Sequence, residues 1–298
     1  MSAIAQLPGA GTAPVEPPRE GRRRRSRVAY LLLLPGMAWL VIFFLVPMVS
    51  LFNMSLSEGS LERGYSFTGR LANYTDALSQ YASYFGRSFL YAGIATLLAL
   101  ALAYPLAYTI AFKAGRWRGV LLILVIAPFF TSFLLRTLAW RSILADSGAV
   151  ADFLNLFMTD VRLLNTPLAV VTGLTYNFLP FMILPLYASL ERIDPRLIEA
   201  GADLYASPFT GFRKITFRLS MPGVVAGTLL TFIPAAGDYI NAELLGTVQT
   251  RMIGNVIDSR FLTITDYPTA AALSFTLMAA ITVLVAIYIA LAGTEELV

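Results

Sequence analysis

Residues 198–223, IEAGADLYASPFTGFRKITFRLSMPG, are the long polar interruption in a mostly apolar chain that has order of its own. Glu199, Ala200 and Gly201 open a segment with helical character, and Ala206-Ser207-Pro208 breaks it, because the residue before a proline is steered away from helix. A second short segment follows, with Phe209, Phe212, Ile215 and Phe217 set among Arg213, Lys214 and Arg218. Met221-Pro222-Gly223 closes the stretch, and the next apolar run begins. Two short amphipathic helices at the mouth of a membrane bundle make a plug for another protein's groove. An ordinary amphipathic loop lying on the membrane surface would share the face pattern, but not the position between two spans.

The surrounding composition sets that position. Of 298 residues 57% are hydrophobic and 13% charged, with a mean hydropathy of +0.69, which is too apolar for a soluble domain. The sequence has no cysteine and no histidine. Disulfides, thiolate metal sites, Cys or His nucleophiles and His bases are excluded. The net charge of +4 follows from loop charges on the cytoplasmic side and does not point to nucleic acid.

Six apolar runs, at about 28–52, 88–112, 119–140, 167–190, 223–240 and 268–292, each have roughly the 17–25 residues needed to cross a hydrocarbon core. The expected fold is an all-α polytopic membrane protein with six transmembrane helices. Residues 1–27 read as a disordered basic cytoplasmic tail, and 28–298 as the membrane domain. The first run is too long for a signal-peptide core and has no clear cleavage site, so it is expected to remain as a span. Its basic flank would also suit anionic lipid.

The basic residues fall unevenly. The tail, the turn with Lys113, Arg116 and Arg118, and the loop with Arg192, Arg196, Arg213, Lys214 and Arg218 lie on one side; with the six arginines from Arg19 to Arg27 they make fourteen. The other side has eight: Arg63, Arg70, Arg87, Arg136, Arg141, Arg162, Arg251 and Arg260. Both termini and the 191–223 loop are therefore expected in the cytoplasm, in an inner (plasma) membrane protein. The tail after Thr294, with two glutamates and no basic residue, argues weakly the other way.

Polar residues inside spans are functional candidates. Asp238 lies roughly 22 Å along the fifth run at 1.5 Å per residue, just after Pro234 and Gly237, where a helix can break and line a cavity. Tyr239, Asn241 and Glu243 follow it, while Tyr176, Asn177, Trp140 and Arg136 come from neighbouring runs at a similar level. A carboxylate among aromatic rings suits a passing organic cation. The alternatives are an Asp238–Arg136 ion pair and an Asp238 that caps a helix end. An ion-coupled secondary transporter would carry several carboxylates in mid-span, and only Asp238 qualifies. No phosphate-binding G-x-x-x-x-G-K-[ST] motif occurs, so no ATP hydrolysis is expected in this chain, and no cofactor or metal either.

The loop resembles the coupling (EAA) loop of permease subunits of ABC importers, E-A-A-x-x-L-G-A-S followed by a basic aromatic stretch and P-G. Glu199, Ala200, Asp203, Leu204, Ala206, Ser207, Pro222 and Gly223 fall in place. Gly201 replaces the second Ala and Tyr205 replaces the Gly. A Tyr is expected to keep ordinary φ there, which leaves the shape of the turn open. Three further segments, PFFTSFLLRTLAW (128–140), LPFMILPLYASLE (179–191) and IPAAGDY (233–239) with ELLG (243–246), are similar to the first permease of spermidine/putrescine importers. The resemblance covers about 29–292. It implies the type I importer permease fold, polyamine uptake, a second permease chain, two ATPase subunits holding ATP and Mg at the coupling loop, and an extracytoplasmic solute-binding protein. Relatives that carry ferric iron, thiamine or organic solutes share much of the pattern. Glu199, read as lying near the start of a helix, would serve the helix dipole or pair with an arginine of the ATPase.

Overall fold

The computed structural model of the chain describes residues 27–157 and 162–292. Residues 1–26 of the expected basic tail and residues 293–298 lie outside them. Two compact units divide at Ser50 and Leu51. The first span is helical through α1 (Arg27–Leu40), a wider π-type turn Val41–Leu45, and α2 (Val46–Ser55). Trp39 lies tilted against Phe43 one turn later, with 4.2 Å between ring centroids.

In the second unit the chain first makes a small antiparallel hairpin of β1 (Ser57–Ser60) and β2 (Gly64–Phe67), with Ser57 opposite Phe67 and Ser60 opposite Gly64. The polar connection expected before the second span is therefore partly strand, and after it largely helix. Helix α3 (Ala72–Phe112) has 41 residues, about 61 Å at 1.5 Å per residue, twice the roughly 30 Å hydrocarbon core. Its first turns carry Tyr81 and Arg87, which reach Arg260 and the carbonyl of Arg251.

The third span is not one straight helix. α4 (Arg118–Ile126) runs into the tight turn Ala127–Phe130, and α5 (Phe133–Leu144) leaves it at 96°. Pro128 lacks the N–H an α-helix needs there, and Thr131 is extended, with ψ 143°. After α6 (Ala149–Leu154) come α7 (Pro167–Glu191) and the loop helices α8 (Pro195–Asp203), α9 (Pro208–Gly211) and α10 (Phe217–Leu219). α11 (Met221–Ala236) is the fifth span, followed by α12 (Ile240–Leu245), α13 (Ile253–Asp258) and the sixth span α14 (Tyr267–Ala292). Among the described residues four helices are long and apolar enough to cross a membrane, and six spans result when each bent pair counts as one.

The core is α3, α7 and α11. Helices in lipid gain little from hydrophobicity and associate through close packing of small residues. Ala95, Ala99, Ala103 and Ala107 recur every four residues on α3 and are fully buried, against Leu174, Phe178, Met182, Leu186 and Leu190 at the same spacing on α7. α11 meets α7 through Gly223 and Gly227. A Cβ on Gly223 would come within 2.6 Å of Ser189 Cβ and 2.7 Å of the Pro185 carbonyl, and one on Gly227 within 2.8 Å of the Met182 sulfur.

Candidate functional site

The loop between the fourth and fifth spans is built on local capping. Asp194 accepts the N–H of Arg196 at 3.0 Å and Pro195 occupies the first helical position of α8, a pairing that starts helices well. The helix thus begins four residues before Glu199. Glu199 is exposed on its second turn, and the dipole role expected for it falls to Asp194.

The end of α8 resolves the Tyr205 question against expectation. Ala206 N–H bonds the carbonyl of Gly201 at 3.1 Å and Tyr205 N–H that of Ala202 at 2.9 Å, the two bonds of a Schellman cap. Tyr205 holds the left-handed position with φ +58°. Glycine takes that conformation without penalty, while other residues lose roughly 1–2 kcal/mol. The turn survives the loss of the glycine, at a cost. Gly201 has its own reason, since a Cβ there would meet Ile215 Cδ1 at 2.8 Å.

Ser207 caps α9 by accepting the N–H of Thr210 at 3.3 Å. A wider turn at Phe212–Thr216 follows, then α10. Phe212 sits edge-on to Tyr104 and Tyr108 of α3, at 5.7 and 6.1 Å, and the Tyr104 hydroxyl meets that of Ser220 at 2.8 Å. These two tyrosines were missed in the sequence; their i, i+4 spacing at the end of the second span was the available signal. Pro222 opens α11, which leaves the loop at 60°, and Gly223 is the contact with α7. Arg118 joins Glu191 and Tyr187 at the same end of the bundle, so the basic turn and the loop share one face, as their charges imply.

Deeper in the bundle, α11 ends at Ala236 and the chain breaks at Gly237-Asp238-Tyr239 before α12, as Pro234 and Gly237 imply. Asp238 is buried, and its Oδ1 accepts the N–H of Asn241 at 2.8 Å: it caps α12. The Asp238–Arg136 ion pair is absent. Arg136 is buried against the rings of Phe129 and Phe133, 5.4 and 5.6 Å away, with Nε and Nη1 unpartnered. Asn177 Nδ2 donates to Thr137 Oγ1 at 3.1 Å and to Asn241 Oδ1 at 3.0 Å. One polar node therefore ties α5, α7 and α12 together. Thr137 escaped the sequence reading, although a Thr next to an Arg in an apolar run was visible. Asn177 Oδ1 and Asn241 Nδ2 have no partner, which leaves hydrogen-bonding capacity at the node.

The other candidates are placed apart from it. Trp140 and Tyr176 pack edge-on at 5.3 Å and line a cavity of about 340 Å³ with Leu98, Leu102, Thr175 and Leu179. Tyr239 is partly exposed, and its carbonyl accepts from Asn255 at 2.9 Å. Glu243 takes a bond from Asn255 at 3.1 Å and pairs with Arg251 at 3.6 Å. Among the described residues no cluster of three or more acidic residues could hold a metal ion.

Residues 103–293 match the model described as "Binding-protein-dependent transport system inner membrane component". The chain belongs to that family. It is a multi-pass inner-membrane permease subunit of an ABC importer. It is 36% identical over 255 residues to the spermidine/putrescine transport system permease protein PotB of Haemophilus influenzae, covering 84% of this chain and 89% of that protein. The fold is that of a bacterial ABC transporter involved in alginate import, with TM-score 0.71 and 17% identity over 90% of this permease and 96% of that chain. It also matches an alginate ABC transporter in complex with an alginate pentasaccharide-bound periplasmic protein, with TM-score 0.69 and 18% identity over 89% and 93%.

Proposed function

We propose that this permease forms half of the membrane passage for polyamines, spermidine or putrescine, with a second permease chain as the other half. The observation that carries the reading is its identity to the Haemophilus permease along nearly that protein's whole length. Two ATPase subunits supply the energy by binding and hydrolysing ATP with Mg, and a periplasmic solute-binding protein delivers the solute. Both termini lie in the cytoplasm with the coupling loop. No catalytic residue is assigned to this chain.

The geometry supports a mechanical route. The loop with Glu199, Ala200, Gly201, Asp203, Leu204, Tyr205, Ala206 and Ser207 is held in shape, because α8 and α9 are capped and Phe212 is wedged against α3. It continues through Pro222 and Gly223 into α11, which has no side chain at two positions of contact with α7. A displacement of the loop therefore moves α11 and α7 together. The far end of α11 carries Asp238, and α7 carries Asn177, so the same displacement reshapes the polar node. Asp238 and the free Asn177 Oδ1 then act on the ammonium groups of the solute, with Tyr239, Glu243, Tyr176 and Trp140 along the passage.

Passage of an anionic organic solute is a second reading, and buried Arg136 with its unpartnered nitrogens favours it. Uptake of labelled spermidine and putrescine decides, in cells lacking this chain and complemented by wild type or Asp238→Asn. Asn keeps a capping oxygen and removes the charge. Uptake restored by wild type and sharply reduced by Asp238→Asn, at equal amounts of membrane-inserted protein, is the expected result. Polyamine uptake unaffected by loss of the chain sinks the polyamine reading and leaves the permease.

A further inference from the structure

The C-terminal cap of α8 points to a contact that belongs to this chain in particular. Tyr205 occupies the position of the Schellman cap that glycine fills without penalty, at φ +58°. Its side chain is 98% exposed and makes no hydrogen bond or ring contact among the described residues. Within the permease, then, the ring returns nothing for the strained backbone that carries it. An outlier of this kind is a reason to look for a function outside the chain.

Its neighbours make a patch. Leu204 is 82% exposed and Phe209, just past the Ser207 cap, 70% exposed. The remaining loop aromatics turn the other way: Phe212 and Phe217 lie against Tyr104. The loop thus has an inward aromatic face that fixes it to α3 and an outward one that is bare. We propose that Tyr205 is a specificity-determining knob that seats in an apolar pocket of the ATPase subunit, with Leu204 and Phe209 as its collar. This rests on the coupling-loop reading above and adds the residue on which partner choice turns.

Two observations favour a protein pocket over the lipid headgroup layer. A doubly hydrogen-bonded turn fixes the backbone and the Cα–Cβ direction from which the ring projects, which a shaped pocket rewards and a fluid interface does not. Exposed Glu199 and Asp203 precede the patch in α8, and exposed Arg213 and Lys214 follow it. Mixed charge suits a complementary protein surface, whereas anionic lipid would repel the two carboxylates. Aromatic anchors in a desolvated pocket are the usual centres of such interfaces.

The test uses the complete transporter, purified in detergent with its second permease and ATPase subunits, and measures the ATPase retained per permease on dilution. Tyr205→Ala and Tyr205→Gly are expected to weaken retention at least tenfold, or ~1.4 kcal/mol, and Tyr205→Phe to stay within twofold of wild type. The purified permease with Tyr205→Gly should unfold at a higher temperature than with Tyr205→Ala, so weak retention by the glycine variant cannot be blamed on misfolding. Wild-type retention by both truncated variants overturns the proposal. So does a loss seen only in anionic liposomes, which assigns the ring to lipid. A wild-type permease that retains no ATPase removes the coupling reading itself.

Discussion

Gly223→Ala adds one methyl group at the close crossing of α11 and α7. Its Cβ would lie 2.6 Å from Ser189 Cβ, 2.7 Å from the Pro185 carbonyl oxygen and 3.1 Å from Leu186 Cα. Two of these three atoms are backbone, so no side-chain rotation relieves the overlap. Carbon atoms at rest sit about 3.5–4.0 Å apart, so α7 and α11 must separate by about 1 Å. Overpacking of this kind costs typically about 1–3 kcal/mol. Gly86→Ala is the matched control: it lies in α3, and a Cβ there meets nothing within 4 Å. Removing a helical glycine without a clash gains roughly 0.5–1 kcal/mol. Thermal unfolding of the purified permease in detergent should therefore shift down for Gly223→Ala and up for Gly86→Ala, by about 2–4 °C per kcal/mol for a chain of this size. Uptake should fall only for Gly223→Ala, because in the proposed route that crossing carries movement from the loop. A neutral Gly223→Ala, or shifts of the same sign in both variants, would refute the close-approach argument.

Two further outcomes follow from the loop. Phe212→Ala removes ring pairs with Tyr104 and Tyr108, each worth about 0.5–1.5 kcal/mol beyond its area; the plug then moves without α3, and solute imported per ATP hydrolysed should drop while hydrolysis persists. Glu199→Lys changes an exposed residue in the second turn of α8, so membrane insertion and unfolding temperature should hold while ATPase association or uptake falls. Full uptake by that variant would count against a coupling role for Glu199.

The spans were legible because the bilayer imposes their length. Each crossing needs an apolar run of about twenty residues, and the expected fourth and sixth spans end within a residue of α7 and α14. The extension of α3 was not legible, because a helix leaving the membrane in polar surroundings has no apolar run to announce it. The break in the third span rested on Pro128, yet membrane helices tolerate proline, so the residue alone does not decide between a kink and a 96° turn. Asp194-Pro195 is the local start signal for α8, four residues before Glu199.

The membrane class, the apolar runs that cross, the ordered loop between the fourth and fifth runs and the break at Asp238 were readable from local chemistry: apolar run length, proline and glycine. What these residues touch was set by the packing of the helices. It set Asp238 on Asn241 instead of Arg136, tied Asn177 to Thr137 and Asn241 across three helices, and held Tyr205 at positive φ. Those outcomes depend on how the helices pack, and packing joins residues far apart in the chain by distances that no local pattern encodes.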